Sequence, residues 1–301
     1  MWEKQGLIFD NHHSQVPVVD VYDNFYRIYY STRIEGKSNP MFIDVDKNNP
    51  KLILKKSEKP MLNLGNPGSF DWAGIMPTEI ITVGNKKFLY YIGWSLRVDV
   101  PYHNNLGLAI SEDNGNTWVK FSEGPVFSTS HKEPGYVGTA NIIIEDGVWR
   151  MWYLSCLKWI NSDHGIEPTY DIKYATSING IDWVPTGITC IPLEGNEGGI
   201  SSSRVIKNGD TYQMWYSIRN KLDYRNNVNN SYRIKKSISK DGINWVKNND
   251  IELDVSSKND WENKMVCYPY IVDNGDELIM FYNGNNFGST GIGYAIQRKI
   301  K

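Results

Sequence analysis

Cysteine is scarce in this chain. Its 301 residues hold only Cys156, Cys190 and Cys267, an odd number widely scattered, which argues against a disulfide framework. No apolar run approaches membrane-spanning length, and the opening Met1-Trp2-Glu3-Lys4 lacks a charged-then-apolar secretory pattern. A formal net charge of −2 without any Lys/Arg cluster leaves no electrostatic footprint for nucleic acid or an anionic membrane. Also missing are a Gly-x-Ser-x-Gly elbow, His-Glu-x-x-His, Cys-x-x-Cys and a phosphate-cradling glycine loop after a strand. These absences point to a cytoplasmic protein with no bound metal or cofactor, no nucleic-acid partner and no membrane partner.

What the chain does have is a repeat. Five aromatic strand cores end in Tyr30, Tyr91, Tyr153, Tyr216 and Tyr282, spaced by 61, 62, 63 and 66 residues. A period of that size marks an array of one structural unit. Each copy holds an apolar segment, a tight polar turn, the aromatic strand, a long connection and another alternating strand. The turns, among them Val83-Gly84-Asn85, Glu145-Asp146-Gly147 and Asn274-Gly275-Asp276, are of the kind that join antiparallel strands.

In three copies the third strand runs into a turn and a tryptophan: Ser111 to Trp118, Ser177 to Trp183 and Ser239 to Trp245. The first resembles the Asp box of sialidases, a structural turn to which no catalytic role attaches. The fifth copy stops near Ile296, and the N-terminal Trp2 to Phe9 matches the missing Trp-led strand, as in Trp118 to Phe127. Pairing the two removes exposed sheet edges. The expected architecture is one all-β domain over residues 1–301, a five-bladed β-propeller of four-stranded antiparallel blades. Residues 1–9 complete the last blade and close the ring.

The short turns build a plain rim, whereas the long connections on the other side are where binding and chemistry usually sit. They carry Arg33, Trp94, Arg97, Trp159, His164, Arg219 and Asn285, flat aromatic surfaces and donor forks suited to sugar rings and hydroxyls. Counting back from each tyrosine aligns Pro17, Pro77, Ala140, Ser203 and Pro269 in one column of first strands lining the channel. Six or seven residues upstream every copy has an acid: Asp10, Asp71, Glu133, Glu197 and Glu262.

Acids around a concave mouth suit glycosidic cleavage, one protonating the leaving oxygen and another activating water or attacking. Asp71, flanked by Phe70 and Trp72, and Glu262, after Trp261, lead the candidates, with Glu197 and Glu133 beside them and Asp10 in reserve. Solvated loop acids are the plain alternative for any single one. Arg204, His13, Gln15, Trp72 and Tyr268 complete the expected substrate contacts. Cys267 reads as a buried apolar cysteine.

The whole pattern resembles the five-bladed β-propeller glycosidases, the superfamily of glycoside hydrolase families 32, 43, 62, 68, 117 and 130, through the strand cores, the Ser-x-Asp-Gly-x-x-Trp turns and the closing Gly291-Ile-Gly-Tyr-Ala295. It also looks like relatives encoded beside bacterial surface-polysaccharide genes, which share stretches like Tyr90-Tyr-Ile-Gly-Trp94. The resemblance implies a carboxylate triad in which Asp71 takes the blade-two position and Glu133 the acid. Blade one departs from the pattern, with His12-His13 where a base is expected, and the family 32 signature is absent. A glycoside hydrolase acting on a small glycan or activated sugar is therefore the leading expectation. A glycosyl-transferring relative and a non-catalytic glycan-binding propeller are the alternatives.

Overall fold

A computed structural model of the protein describes residues 1–162 and 165–299; His164 lies outside the described residues. The architecture is all-β. The strands run in order as β1 (Glu3–Phe9), β2 (Gln15–Val21), β3 (Phe25–Ile34), β4 (Lys37–Asp46), β5 (Ile53–Lys56), β6 (Gly74–Val83), β7 (Lys86–Leu96), β8 (Tyr102–Ser111), β9 (Val119–Lys120) and β10 (Val137–Glu145). The second half continues with β11 (Val148–Ser162), β12 (Gly165–Ser177), β13 (Val184–Ile191), β14 (Glu197–Asn208), β15 (Thr211–Asn220), β16 (Arg233–Ser239), β17 (Trp245–Leu253), β18 (Cys267–Asp273), β19 (Glu277–Asn283) and β20 (Ile292–Arg298).

Neighbouring strands pair antiparallel in runs of four: β2 to β5, β6 to β9, β10 to β13 and β14 to β17. Single parallel bridges, Ser38 to Gly74 and Tyr170 to Gly199, link the first run to the second and the third to the fourth. The last group has the order β1-β20-β19-β18, so the N-terminal strand lies beside the C-terminal one. The second strands are buried through their centres, with Tyr29, Tyr90, Trp152 and Trp215 all at 0% exposure. That is what alternating aromatic strands packed between two sheets require.

From four of the five groups a tryptophan packs onto the group before it. Trp118 meets Tyr29 edge-on, Trp183 meets Tyr90 and Trp245 meets Trp152. Trp2 meets Trp215 in the same way. The Ser-x-Asp turns add polar staples between the same neighbours: the carbonyls of Gly115, Gly180 and Gly242 accept from Arg27, Tyr90 and Trp152 of the preceding group. Within each turn the serine hydroxyl accepts the glycine N–H. Gly180 sits at φ +74°, and a Cβ there would lie 2.6 Å from the Trp149 ring, so only glycine fits.

The long connections differ from the loops expected. Between Cys156 and Tyr170 the chain keeps pairing, Lys158 with Thr169 and Trp159 with Pro168, so β11 and β12 form a projecting hairpin. The same holds for β3 with β4, where Arg33 pairs with Ser38, and for β7 with β8, where Leu96 pairs with Tyr102. Continuous pairing satisfies backbone groups that a loop would leave to solvent.

Candidate active site

The five first strands, β2, β6, β10, β14 and β18, share one irregularity. Each slips register against its second strand: between Gln15 and Val18, Pro77 and Glu79, Val137 and Ala140, Ser201 and Arg204, and Cys267 and Tyr270. Bulges re-aim side chains and gather beside functional sites. At three of them a residue with a Cβ takes positive φ, Val16 at 55°, Ser202 at 50° and Tyr268 at 56°. A β-branched residue there is strained by about 1–3 kcal/mol. Pro17 and Pro269 follow directly, where a missing N–H costs no ladder bond.

The bulges face a cavity of about 280 Å³. Its wall takes Gln15, Val16, Met76, Gly138, Thr139, Ser201 and Tyr268 from the first strands. The projecting hairpins and the segment after β15 add Arg33, Trp94, Tyr102, Tyr170, Tyr224, Arg225 and Tyr232, with Tyr136 just ahead of β10. Below, the space shrinks to about 10 Å³ between Pro17, Thr78, Ala140, Ser203 and Pro269. Four of the five aligned column residues therefore meet there, with Thr78 in place of its neighbour Pro77.

A buried polar plug closes that channel. Glu79 accepts from Arg204 at 2.7 and 2.8 Å, from Tyr270 at 3.0 Å, from Asn141 and from the Ile142 N–H. The Arg204 guanidinium lies 4.0 Å from the Tyr270 ring centre. Residues from β6, β10, β14 and β18 are thus tied across the axis, and Arg204 is a plug member outside the cavity lining.

None of Asp71, Glu133, Glu197 and Glu262 lines the cavity. Asp71, 1% exposed, meets Lys120 at 2.6 Å and Tyr91 at 3.2 Å. Glu262, also buried, meets Lys4 at 2.6 Å, Tyr282 at 2.8 Å and Asn259 at 2.7 Å. Glu197 pairs with Lys247 at 2.7 Å. Glu133 receives Tyr153 at 2.7 Å, Ser155 and, at 3.3 Å, Lys173. Asp10 is exposed and caps the His12 N–H. Three of these lysines stand two residues after a tryptophan, in Trp2-Glu3-Lys4, Trp118-Val119-Lys120 and Trp245-Val246-Lys247. The recurring acid thus secures its own group of strands. Nearby, burial pushes the Asp171 carboxyl up to about 6.

Of the expected substrate contacts, Gln15, Arg33, Trp94 and Tyr268 line the cavity. The Arg33 guanidinium stacks over Trp94 at 5.2 Å, and the Trp94 indole donates to Ser38 at 3.0 Å. His13 stands behind Arg33; burial first, then the Arg33 charge, lowers its pKa and favours a neutral imidazole. Trp159 supports the wall from outside, edge-on to Tyr102 at 5.4 Å. Arg219 is buried beneath the floor, 3.8 Å from the Tyr224 ring centre, donating to Tyr170 at 3.2 Å and to the Pro168 carbonyl at 2.7 Å. Trp72 lies elsewhere under Lys37. Asn285 is occupied structurally, accepting from the N–H groups of Lys264 and Met265. Burial raises the Cys267 thiol well above its ordinary pKa, which fits an inert core cysteine.

Tyr102, Tyr136, Tyr224 and Arg225 were not signalled by the period, because they come from segments of unequal length, whereas Tyr170 and Tyr232, 62 residues apart and each two residues before an isoleucine of a third strand, repeat with it. Burial raises Tyr136, Tyr232 and Tyr268 well above the ordinary tyrosine range, so their phenols stay neutral donors. Two wall atoms, Gln15 Oε1 and Ser201 Oγ, are buried with no hydrogen-bond partner among the described residues. A cavity of rings, hydroxyls and amides suits a ligand that is apolar on its faces and hydroxylated at its edges. Among the described residues no cluster of His, Cys, Asp or Glu is arranged to hold a metal ion.

This all-β, propeller-like fold is that of the glycoside hydrolases. A thermostable family-43 glycoside hydrolase superposes with a TM-score of 0.70 at 16% identity, covering 96% of this chain and 90% of that one. A structure described as showing that the GH130 family of mannoside phosphorylases contains glycoside hydrolases acting on β-1,2 mannosidic linkages gives 0.71 at 15%, covering 100% and 94%. A further solved structure, named only as a glycoside hydrolase, gives 0.77 at 16%, covering 99% and 92%. No family model matches the chain. It belongs to the family of the Mycobacterium tuberculosis proteins named Uncharacterized protein Rv1502, of strain H37Rv, and Uncharacterized protein MT1551, of strain CDC 1551. Each is 31% identical over 307 residues, with 98% of both chains covered.

Proposed function

We propose that this chain is a carbohydrate-active protein that binds a sugar in the cavity above the plugged channel. In this reading the five groups of four strands are the blades of one closed propeller spanning residues 1–301, with β1 as the fourth strand of the last blade. The observation that carries the functional reading is the cavity wall: stacked Trp94, neutral tyrosine hydroxyls, and the unpartnered buried atoms of Gln15 and Ser201. Buried polar atoms without partners cost about 1–3 kcal/mol each unless a ligand satisfies them. Sugar hydroxyls do so while the ring stacks on the indole. Glycoside hydrolases and mannoside phosphorylases among the structural neighbours support a carbohydrate ligand.

Hydrolysis by paired carboxylates needs two carboxyl groups facing the scissile bond. Here Asp71, Glu133, Glu197 and Glu262 hold lysines instead, and the lining has no Asp or Glu. Glycosyl transfer from an activated donor is the chemistry this wall supports ahead of hydrolysis, because the donor's own leaving group relieves the need for a protein acid. Calorimetric titration with sugars and sugar nucleotides, run beside aryl-glycoside turnover with and without phosphate, tests the reading. Binding that Tyr268→Ala and Trp94→Ala abolish supports it. Ligand binding that both variants leave untouched overturns it.

A further inference from the structure

Every charged side chain in the cavity lining is cationic. Arg33 and Arg225 are there, and no aspartate or glutamate is. Arg225 is offset by Glu167, which it meets at 2.8 Å. Among the described residues Arg33 meets no carboxylate: it donates to the Gly36 carbonyl at 3.3 Å and stacks on Trp94. Beneath the floor, Arg219 is 2% exposed and bonded only to neutral oxygens, those of Tyr170, Asn220 and Pro168. Three guanidinium groups against one carboxylate leave the site locally positive, in a chain whose net charge is −2. A concave, low-dielectric wall concentrates that field where a ligand sits.

Arg219 is buried without a hydrogen-bonded counter-charge, which is costly, whereas Arg33 is exposed in the cavity wall and open to a ligand. Around Arg219 the Tyr224 hydroxyl donates to Glu167, and the Tyr170 and Tyr232 hydroxyls bond to each other. From these observations we infer that the ligand is an acidic sugar, one whose ring carries a carboxylate or a phosphate, and that Arg33 receives this anionic group beside Trp94. The inference rests on the sugar-binding reading and deepens it. Arg33 suits the role because a guanidinium fork meets carboxylate or phosphate in two parallel hydrogen bonds. Its stacking on Trp94 holds the fork in place before the ligand arrives. The same surface would place the sugar face on the indole and its hydroxyls on Gln15, Ser201 and the phenols.

The experiment is calorimetric titration of the full chain with matched sets for glucose, galactose and mannose: the neutral methyl glycoside, the uronic acid and the 1-phosphate, with inorganic phosphate alone as a further probe. In at least one set an acidic member is expected to bind tenfold or more tighter than its neutral partner, with an advantage that shrinks as salt rises. Preference for the uronic acid identifies a carboxylate, and preference for the 1-phosphate a phosphate. Arg33→Gln should remove most of the advantage, Arg33→Lys should retain part of it, and Lys86→Gln, on the distant rim, should leave it intact. Equal affinity for neutral and acidic members overturns the inference while leaving the sugar site standing. Inorganic phosphate binding as tightly as the acidic sugars overturns it in favour of a bare anion site. An undiminished preference in Arg33→Gln overturns the role of Arg33, and binding in none of the sets overturns both readings.

Discussion

Within the sheets, Asp71, Glu133, Glu197 and Glu262 each meet a lysine of the same strand group, and three also receive a hydrogen bond from the second-strand tyrosine. Around the cavity, among the described residues, Arg33 and Arg219 have no carboxylate partner, and only Arg225 does. The acid recurs from copy to copy, whereas the place three residues after each core tyrosine changes, holding Arg33, Trp94, Cys156, Arg219 and Asn285 in turn. A feature copied with each group of strands serves what each group must do, which is to fold and join its neighbours. Binding a particular ligand needs an asymmetric wall, and the asymmetric residues gather there.

The largest expected effect on the first side of this comparison is Glu262→Gln. It leaves Lys4 facing a neutral amide in a buried setting and should cost about 3 kcal/mol, read as a lower midpoint in urea. Ligand affinity should stay within threefold while the chain is folded. Next is Gly180→Ala, where the new Cβ meets Trp149 and Tyr90 at positive φ. A loss of about 2 kcal/mol is expected, again with binding intact.

Asp171→Asn sharpens the contrast through pH. The Asp171 pKa of about 6 in the fold exceeds the ordinary 3.8 because burial disfavours its charge. The folded chain therefore holds the proton more tightly, and native stability falls as pH rises from about 4 to 6. Melting curves across that window should show the asparagine variant level with the native chain at pH 4. By pH 7 the variant should be more stable by about 3 kcal/mol. Smallest is Arg33→Gln, an exposed residue whose loss should change stability by less than about 0.5 kcal/mol. Its effect belongs in the binding titration.

Much of the scaffold was legible in the sequence. The aromatic cores mark the second strands, and the segments Ser111 to Trp118, Ser177 to Trp183 and Ser239 to Trp245 mark the turns that staple one group to the previous one. The column of Pro17, Ala140, Ser203 and Pro269 locates the channel, because each lies at a first-strand bulge. The acids were legible as a recurrence, but their meaning depended on their partners. The spacing Trp-x-Lys, in Trp2 to Lys4, Trp118 to Lys120 and Trp245 to Lys247, carries that meaning and is visible in the chain. In the third copy the same place holds Pro185, and Lys173 from β12 serves instead. Tyr170 and Tyr232 repeat 62 residues apart, a signal visible in the chain, whereas Tyr102 and Tyr224 come from connections of unequal length and no local pattern encodes their meeting.

The measurement that bears most directly on the central claim compares four folded variants for ligand binding and for turnover of aryl glycosides and sugar nucleotides. Asp71→Asn and Glu262→Gln represent the lysine-paired acids, and Tyr268→Ala and Trp94→Ala the cavity. The account predicts that the first two keep binding and any turnover within threefold of the native chain below their melting midpoints, while the last two lose both. Loss of turnover in folded Asp71→Asn or Glu262→Gln, with the cavity variants still active, would contradict it and place the chemistry at the acids.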